Sequence, residues 1–385
     1  MGLLALQRLM SVKRERRRRR QRARNRLTIA LNEREDWPFL QRVGDGDSQH
    51  GETTNCSTTY LPEDIWHHIH FLLPMRDAAR AACLSRAFLR SWRCHPNLTL
   101  DLPTLCSWAH EENFSHNIDN ILRNHSGIGL KQLSFLKVHG WCKLRVIECK
   151  GPNLSSIDFI GEKVKLSLGE PLQMKKLHMH CPNVVCYART ELPSYMPYLE
   201  TLELSSGTEV VNAPMLPTKF LYLKHLTIFI RDGTISPSYD YFSLVSFFDA
   251  SPSLETLFLD VSQIDMKHES VFGGSSHLRQ LPEHQHNCLK SVEIIGFSSA
   301  KSLVELACCI VKNAVSLERL TLDTLHGWGR CTGEAYYETC WPIGNAVLEE
   351  ASRAVVAIRM YIEDKVGPTA KLTVLEPCTR CYPSR

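Results

Sequence analysis

Apolar and polar residues follow a recurring spacing along most of this chain. Each unit has an apolar residue, two others, a second apolar residue, one other and a third apolar residue. Eight units start 20 to 35 residues apart: Leu130/Leu133/Phe135, Leu154/Ile157/Phe159, Met174/Leu177/Met179, Leu199/Leu202/Leu204, Leu223/Leu226/Ile228, Leu254/Leu257/Leu259, Leu289/Val292/Ile294 and Leu317/Leu320/Leu322. The last two apolar positions of a unit point to one face of a short strand. We therefore predict parallel strands stacked in a solenoid, in which neighbouring units bury what one unit cannot bury alone.

A different pattern, with helical spacing, covers residues 61–100. Ile65, Ile69, Leu72 and Leu73 fall at i, i+4, i+7 and i+8, which is one face of a helix that Pro74 ends. Two more short helices are predicted after it, the last with apolar positions at Phe88, Leu89 and Trp92. Three helices in forty residues bury little of their own apolar surface, so we expect a docking module for a partner helix. The alternative is a helical hairpin packed on the next domain.

This segment resembles the F-box, through Leu61-Pro62, Leu72-Leu73-Pro74 and the Leu84-Ser85-Arg86 run before the third helix. The resemblance implies binding to a Skp-family adaptor, and through it to a cullin. Phe88 stands where many F-boxes carry Trp, so we expect weakened rather than lost docking. The expected adaptor-binding residues are Leu61, Pro62, Ile65, Ile69, Leu72, Leu73, Pro74, Leu84 and Phe88, some of which hold the module together.

The repeats, with phrases such as YLETLEL, YLKHLTI, SLETLFL and SLERLTL, resemble the leucine-rich repeats that follow the F-box in many plant proteins. The resemblance extends from about residue 100 to residue 375. We expect an irregular solenoid, because the Asn or Cys of a regular repeat is replaced in every unit. The replacing residues are Val138, Glu162, Pro182, Gly207, Arg231, Ser262, Phe297 and Leu325. The register of the first unit is open, since Leu136 and Val138 offer a second frame.

Helices are predicted between some units and near the end of the chain. Tyr241 to Ala250 and Ser299 to Ala314 have helical spacing, whereas Gly273 to His286 has the composition of a polar loop. Apolar residues from Val347 to Ile362 predict an amphipathic helix that Gly367-Pro368 ends, and Lys371 to Glu376 alternates like a final strand. This helix–strand cap resembles the C-terminal FBD-like segment of the same plant F-box proteins.

Charge is concentrated at the start of the chain. Residues 1–60 hold 13 Lys+Arg and 7 Asp+Glu, while the remainder holds 32 and 34 and is nearly neutral. The unbroken basic run Arg16, Arg17, Arg18, Arg19 and Arg20 lies in a segment that we expect to be disordered. It is interpreted either as a nuclear-localisation signal or as a solvated head.

Fifteen cysteines without a secretory signal indicate reduced thiols in the cytoplasm or nucleus. No stretch is long and apolar enough to predict a membrane span. We found no P-loop, dinucleotide fingerprint, nucleophile elbow or zincin motif, and we expect neither catalysis nor a cofactor. His178, His180 and Cys181 are a weak candidate metal cluster, and residues 283–286 are expected to be solvated. Cys308 and Cys309 are expected in the core.

Together these patterns predict an α/β protein: a small three-helix F-box followed by an irregular leucine-rich-repeat solenoid with a helix–strand cap. The expected boundaries are 1–60 for the basic head and linker, 61–100 for the helical module, 101–345 for the repeats and 346–385 for the cap. The resemblance implies a non-catalytic substrate receptor of a Skp–cullin–F-box ubiquitin ligase whose target is unknown. The alternatives are an interaction scaffold with a lapsed F-box and nucleic-acid association through the basic head.

Overall fold

The computed structural model describes two compact units of the chain. The described residues are 26–29, 62–73, 75–84, 86–101, 133–140, 146–149, 152–162, 165–168, 174–209, 219–230, 239–261, 268–273, 277–280, 283, 285–325 and 343–378. The first unit comprises residues 1–138 and 146–154, and the second comprises residues 139–145 and 155–385.

The first unit contains three helices and four strands among its described residues. In chain order these are β1 (Arg26–Ile29), α1 (Glu63–Leu72), α2 (Met75–Ala81), α3 (Arg86–Arg93), β2 (Asn97–Asp101), β3 (Phe135–His139) and β4 (Val146–Cys149). Strand β1 pairs in parallel with β4, and β2 lies beside β3. The last residue of β3, His139, belongs to the second unit.

A small core holds the three helices together. Ala78, Ala82 and Trp92 are buried, and Leu73 and Leu89 pack against them. The small side chains of α2 leave room for the indole ring of Trp92 on α3. This core uses few of the apolar residues of the module, so several of the others remain exposed.

The second unit is built on parallel strands. Its described elements are β5 (Ser156–Ile160), β6 (Lys165–Leu168), β7 (Lys176–His180), α4 (Val184–Thr190), α5 (Leu192–Tyr195), β8 (Thr201–Ser206), β9 (His225–Ile230), a 3-10 helix (Tyr241–Leu244), α6 (Val245–Ala250), β10 (Thr256–Val261), β11 (Ser291–Ile295), α7 (Lys301–Asn313), β12 (Arg319–Asp323), α8 (Asn345–Tyr361), a 3-10 helix (Glu363–Lys365) and β13 (Lys371–Leu375). One sheet places β5, β7, β8, β9, β10, β11, β12 and β13 side by side in that order. Helices connect several of the strands, as expected for parallel pairing.

The pairing register aligns the repeat pattern across this sheet. Leu177 pairs with Leu202, Leu226 with Leu257, and Val292 with Leu320. These residues and the apolar position two residues further on are buried in β5 and in each of the strands β7 to β12. The seven predicted repeats from Leu154 onward are therefore confirmed, and β13 adds the predicted final strand.

The structure decides the register of the first repeat, which the sequence left open between two frames. Leu133, Leu136 and Val138 are fully buried, whereas Phe135 is only half-buried. The second frame that the sequence offered is the one the protein uses. Both frames carry apolar residues at every required position, and inward alternation in β3 is possible for only one of them.

Two further elements differ from expectation. Residues 97–101 form strand β2, with Leu98 and Leu100 buried, at the end of the segment assigned to the helical module. Helix α8 ends at Tyr361 rather than at Gly367. There the hydrogen bonds shorten to i+3 spacing, with Lys365 N donating to Ile362 O at 2.9 Å.

Two buried carboxylates hold the longer intervals between successive repeats in place. Glu305 on α7 is fully buried and accepts hydrogen bonds from the backbone N (2.8 Å) and Nε (2.7 Å) of Arg279. The two Nη atoms of Arg279 each lie 2.8 Å from a carboxylate oxygen of Asp240, and its guanidinium lies over the ring of Phe242. Arg279 thereby ties the interval between β10 and β11 to α7.

Glu350 attaches α8 to the repeats. Its carboxylate accepts from Ser299 N at 2.7 Å, and it lies 3.3 Å from Nε2 of His268 and 2.8 Å from Nη2 of Arg353. Burial opposes ionisation, but the hydrogen bonds from His268 and Ser299 outweigh it and lower the pKa of Glu350 to about 2. The cap is therefore held by an ionised carboxylate.

Candidate interaction surfaces

One face of the second unit's sheet carries the side chains that the core does not use. In β5, β7, β8, β9 and β11 the residues between the buried positions alternate outward. The central row of this sheet face is Asp158, His178, Glu203, Thr227, Phe258, Glu293, Thr321 and Thr373. Strand pairing places these side chains about 5 Å apart from one strand to the next.

An aromatic pair lies in the middle of the sheet face. The ring centroids of Phe229 on β9 and Phe258 on β10 are 5.7 Å apart, and both residues are half-buried. In the same row, Glu203 lies two strands before Phe258 and Glu293 lies one strand after it. Aromatic side chains are enriched in protein interfaces, where they bury a large area at low entropic loss. This arrangement suits an apolar partner side chain that has a cationic neighbour.

A histidine–carboxylate cluster occupies one end of the sheet face. Nε2 of His139 and Nδ1 of His178 each lie 2.7 Å from Oδ1 of Asp158. Nε2 of His178 also lies 3.8 Å from Glu203. Burial raises the pKa of Asp158, but hydrogen bonds from His178 and His139 outweigh burial and keep it below its usual value. Both histidines thus converge on one oxygen of Asp158, and the cluster leaves this carboxylate ionised.

The candidate metal cluster does not converge. His178 engages Asp158, His180 is exposed at the end of β7, and Cys181 is buried. Among the described residues, no group of three or more His, Cys, Asp or Glu side chains is placed to hold a metal ion.

A small cavity brings Cys309 near His286, a combination that is found in nucleophilic sites. His286 is buried, so its predicted solvation is wrong. Its Nδ1 accepts from Leu289 N at 3.2 Å, and its Nε2 donates to Ser251 O at 2.9 Å. Burial raises the pKa of Cys309, so its thiol is protonated at neutral pH. A histidine with both nitrogens engaged cannot deprotonate it, and the pair is structural. Cys308 is buried as predicted.

The helical module exposes a second candidate surface. Leu72 is 67% exposed, Leu84 is 79% exposed and Ile65 is 42% exposed. Such large apolar side chains on a module with a small core are typical of a surface that a partner covers. Among the other expected adaptor-binding residues, Pro62 is exposed, while Ile69, Leu73 and Phe88 are half-buried.

Some predicted site residues lie outside the described part of the chain. These are Leu61, Pro74 and the basic run Arg16, Arg17, Arg18, Arg19 and Arg20.

Sequence reasoning missed several residues that order these surfaces. Phe229 and Phe258 stand at the outward positions of the repeat pattern, so their placement could have been read from the register. Glu209 had no such signal. Its buried carboxylate accepts from Val185 N (2.7 Å) and Cys186 N (3.1 Å) at the start of α4, and burial raises its pKa despite these bonds.

Comparison with known proteins identifies the repeats. The family model described as "At1g61320/AtMIF1, LRR domain" matches residues 126–379, which is well over half of the chain. No curated protein matches the sequence. None of the described helices has the length and apolar character needed to cross a membrane. The matched residues include the aligned strands β5 and β7 to β13, and an LRR domain indicates a role in protein interaction. The chain therefore belongs to the leucine-rich-repeat family of the At1g61320/AtMIF1 type.

Proposed function

We propose that this protein is a non-catalytic substrate receptor of a Skp–cullin–F-box ubiquitin ligase. The helical module docks the adaptor, and the sheet face of the repeats binds a target protein. The receptor then acts by proximity, since it holds a lysine-bearing target near a ubiquitin carrier that other subunits supply.

The observation that carries this proposal is the exposure of Leu72 and Leu84 on the module. A free helical unit that folded only for its own stability would bury such side chains, since burying one leucine contributes about 1.5–3 kcal/mol. Both leucines belong to the sequence runs that resemble the F-box. Their exposure therefore supports docking of an apolar partner helix at this surface.

The sheet face supports the second half of the proposal. Phe229 and Phe258 offer an aromatic anchor, with the carboxylates of Glu203 and Glu293 in the flanking strands. Hot spots in protein interfaces combine a few such anchors with surrounding polar contacts. The expected target contact is a segment with an apolar side chain beside a lysine or arginine.

The experiment is a crossed capture with the full chain. Three forms are expressed at equal levels: the wild type, a module variant Leu72→Ala/Leu84→Ala, and a face variant Phe229→Ser/Phe258→Ser. The adaptor and cullin are expected with the wild type and the face variant but not with the module variant. A target is expected with the wild type and the module variant but not with the face variant.

Two results for adaptor capture would overturn the proposal. Absence of adaptor from the wild-type capture would leave a repeat scaffold that does not enter a ligase. Retention of the adaptor by the module variant would show that Leu72 and Leu84 are not the docking surface. Circular dichroism of the purified variants separates these outcomes from misfolding.

A further inference from the structure

A row of alternating charge runs along the edge of the sheet where the strands of the second unit begin. In six successive repeats, the residue that follows the first apolar position is charged. The sign of this charge alternates from one repeat to the next. We call these residues the rim ladder: Lys175, Glu200, Lys224, Glu255, Lys290 and Glu318.

Backbone hydrogen bonds hold the rim ladder in register. The N–H of each member donates to the carbonyl of the preceding one, from Glu200 to Lys175 at 2.9 Å through to Glu318 and Lys290 at 2.8 Å. The side chains of Lys175 and Glu200 approach to 3.4 Å, and those of Lys290 and Glu255 approach to 3.5 Å. Six members with five intervals span about 24 Å at the spacing of paired strands.

The rim ladder has an even number of members and uncharged ends. Ser155 occupies the equivalent position before Lys175, and Ala370 occupies it after Glu318. A sequence of six alternating charges is complementary to its own reverse. A twofold axis through its centre would therefore place a lysine opposite a glutamate at all six positions, which is the condition for an isologous interface.

Exposed apolar side chains lie beside the rim ladder. Tyr198 and Tyr222 stand two residues before Glu200 and Lys224, and their ring centroids are 5.5 Å apart. Tyr195 and Leu221 are exposed next to them. We call these four residues the tyrosine patch. It lies at the start of β8 and β9, outside the sheet face and outside the helical module.

We propose that a second copy of this chain binds along the rim ladder in antiparallel orientation. Lys224 faces Glu255 of the other copy, Glu200 faces Lys290 of the other copy, and Lys175 faces Glu318 of the other copy. The tyrosine patch then packs on the rim of β10 and β11 in the other copy, where Ser253 and Cys288 are small. The interaction uses residues of neither the sheet face nor the helical module.

Charge reversal at the centre of the rim ladder tests this arrangement. Lys224→Glu places two glutamates against each other in the symmetric dimer, and Glu255→Lys places two lysines together. Because the axis repeats each contact, either variant turns two attractions into two repulsions. Sedimentation velocity of the full chain across a concentration series is expected to show a wild-type dimer. The dimer of each single variant is expected to be weaker by about tenfold or more.

Mixing the two variants separates contacts between chains from contacts within one chain. A heterodimer of Lys224→Glu with Glu255→Lys restores opposite charges at both central positions, while every intrachain repulsion stays as it was. Association is therefore expected to return to within about threefold of wild type in the equimolar mixture. The matched control is Lys312→Glu on α7, which breaks the surface ion pair to Glu283 and leaves the dimer unchanged.

Three results would overturn the proposal. The first is a wild-type chain that stays monomeric at all concentrations. The second is dimerisation that is unchanged in both single variants. The third is a mixture that associates no better than the single variants do. Thermal unfolding of each variant confirms that the repeats remain folded.

Discussion

Truncation of Leu72 and Leu84 in the helical module should weaken adaptor binding strongly and leave folding nearly unchanged. Leucine to alanine removes three carbon atoms, each contributing about 0.8 kcal/mol when fully buried. Scaling by the exposed fractions of 67% and 79% gives about 1.6 and 1.9 kcal/mol of lost binding free energy if the adaptor covers both side chains. Together the two changes predict a dissociation constant about 300-fold higher.

The assay is titration calorimetry of the full chain with a purified Skp-family adaptor. Since both side chains are exposed in the free protein, the free energy of unfolding should change by less than about 0.5 kcal/mol. The matched control is Met360→Ala on α8, where the side chain is 60% exposed and lies in the C-terminal cap. It should bind the adaptor as the wild type does. Unchanged affinity in the double variant would refute the assignment of this surface, and unfolding of the double variant would refute the inference that the leucines are free of the core.

Three substitutions test the fold that supports the surfaces, each by urea unfolding. Gly296→Ala should lower the free energy of unfolding by more than about 2 kcal/mol, because φ is +74° and the new Cβ would lie 1.9 Å from Val261 O. Glu350→Gln should lower it by about 3 kcal/mol at pH 7, from a native pKa of about 2 against an ordinary 4.5. A carboxylate whose pKa is depressed stabilises fully above pH 4.5, so this difference should disappear as the pH falls from 4.5 toward 2. Arg279→Met should lower it by about 3 kcal/mol, because it leaves the Glu305 carboxylate buried without its cation.

Each of these has a matched control. Gly344→Ala adds a Cβ with no atom within 4 Å, so its effect should be small. Glu376→Gln and Arg359→Met break a surface ion pair and should each change stability by less than about 1 kcal/mol. Equal effects in a test variant and its control would contradict the structural reasoning for that residue. A loss in Glu350→Gln that persists unchanged at low pH would show that the carboxylate does not stabilise through its charge.

The repeat pattern predicted the sheet because burial in a parallel stack is decided by spacing. From Leu154 to Leu322, each unit supplies one residue to each buried row, and neighbouring strands can align only in one way without turning the pattern outward. The register of the first repeat stayed open because this constraint is weak there. Leu133, Phe135, Leu136 and Val138 give apolar residues in two frames, and only tertiary packing selects one of them.

Interactions between distant parts of the sequence could not be predicted. Arg279 reaches Glu305 and Asp240 across an irregular interval, and no periodicity encodes that contact. Residues 97–101 alternate in the manner of a strand, but their place directly after the third helix concealed this. On the sheet face, the outward positions were available from the repeat register, whereas the convergence of His139 and His178 on Asp158 depends on side-chain direction.

The most direct test of the receptor proposal is binding of the intact, purified chain to a purified Skp-family adaptor and the adaptor-binding part of a cullin. Light scattering after gel filtration gives the mass of the complex. We expect one adaptor and one cullin fragment for each chain, with the repeats still folded by circular dichroism. The contrary result is a folded chain that elutes apart from the adaptor at concentrations well above the dissociation constants of known complexes of this type. That result would contradict the ligase role, and the leucine-rich repeats would then serve another partner.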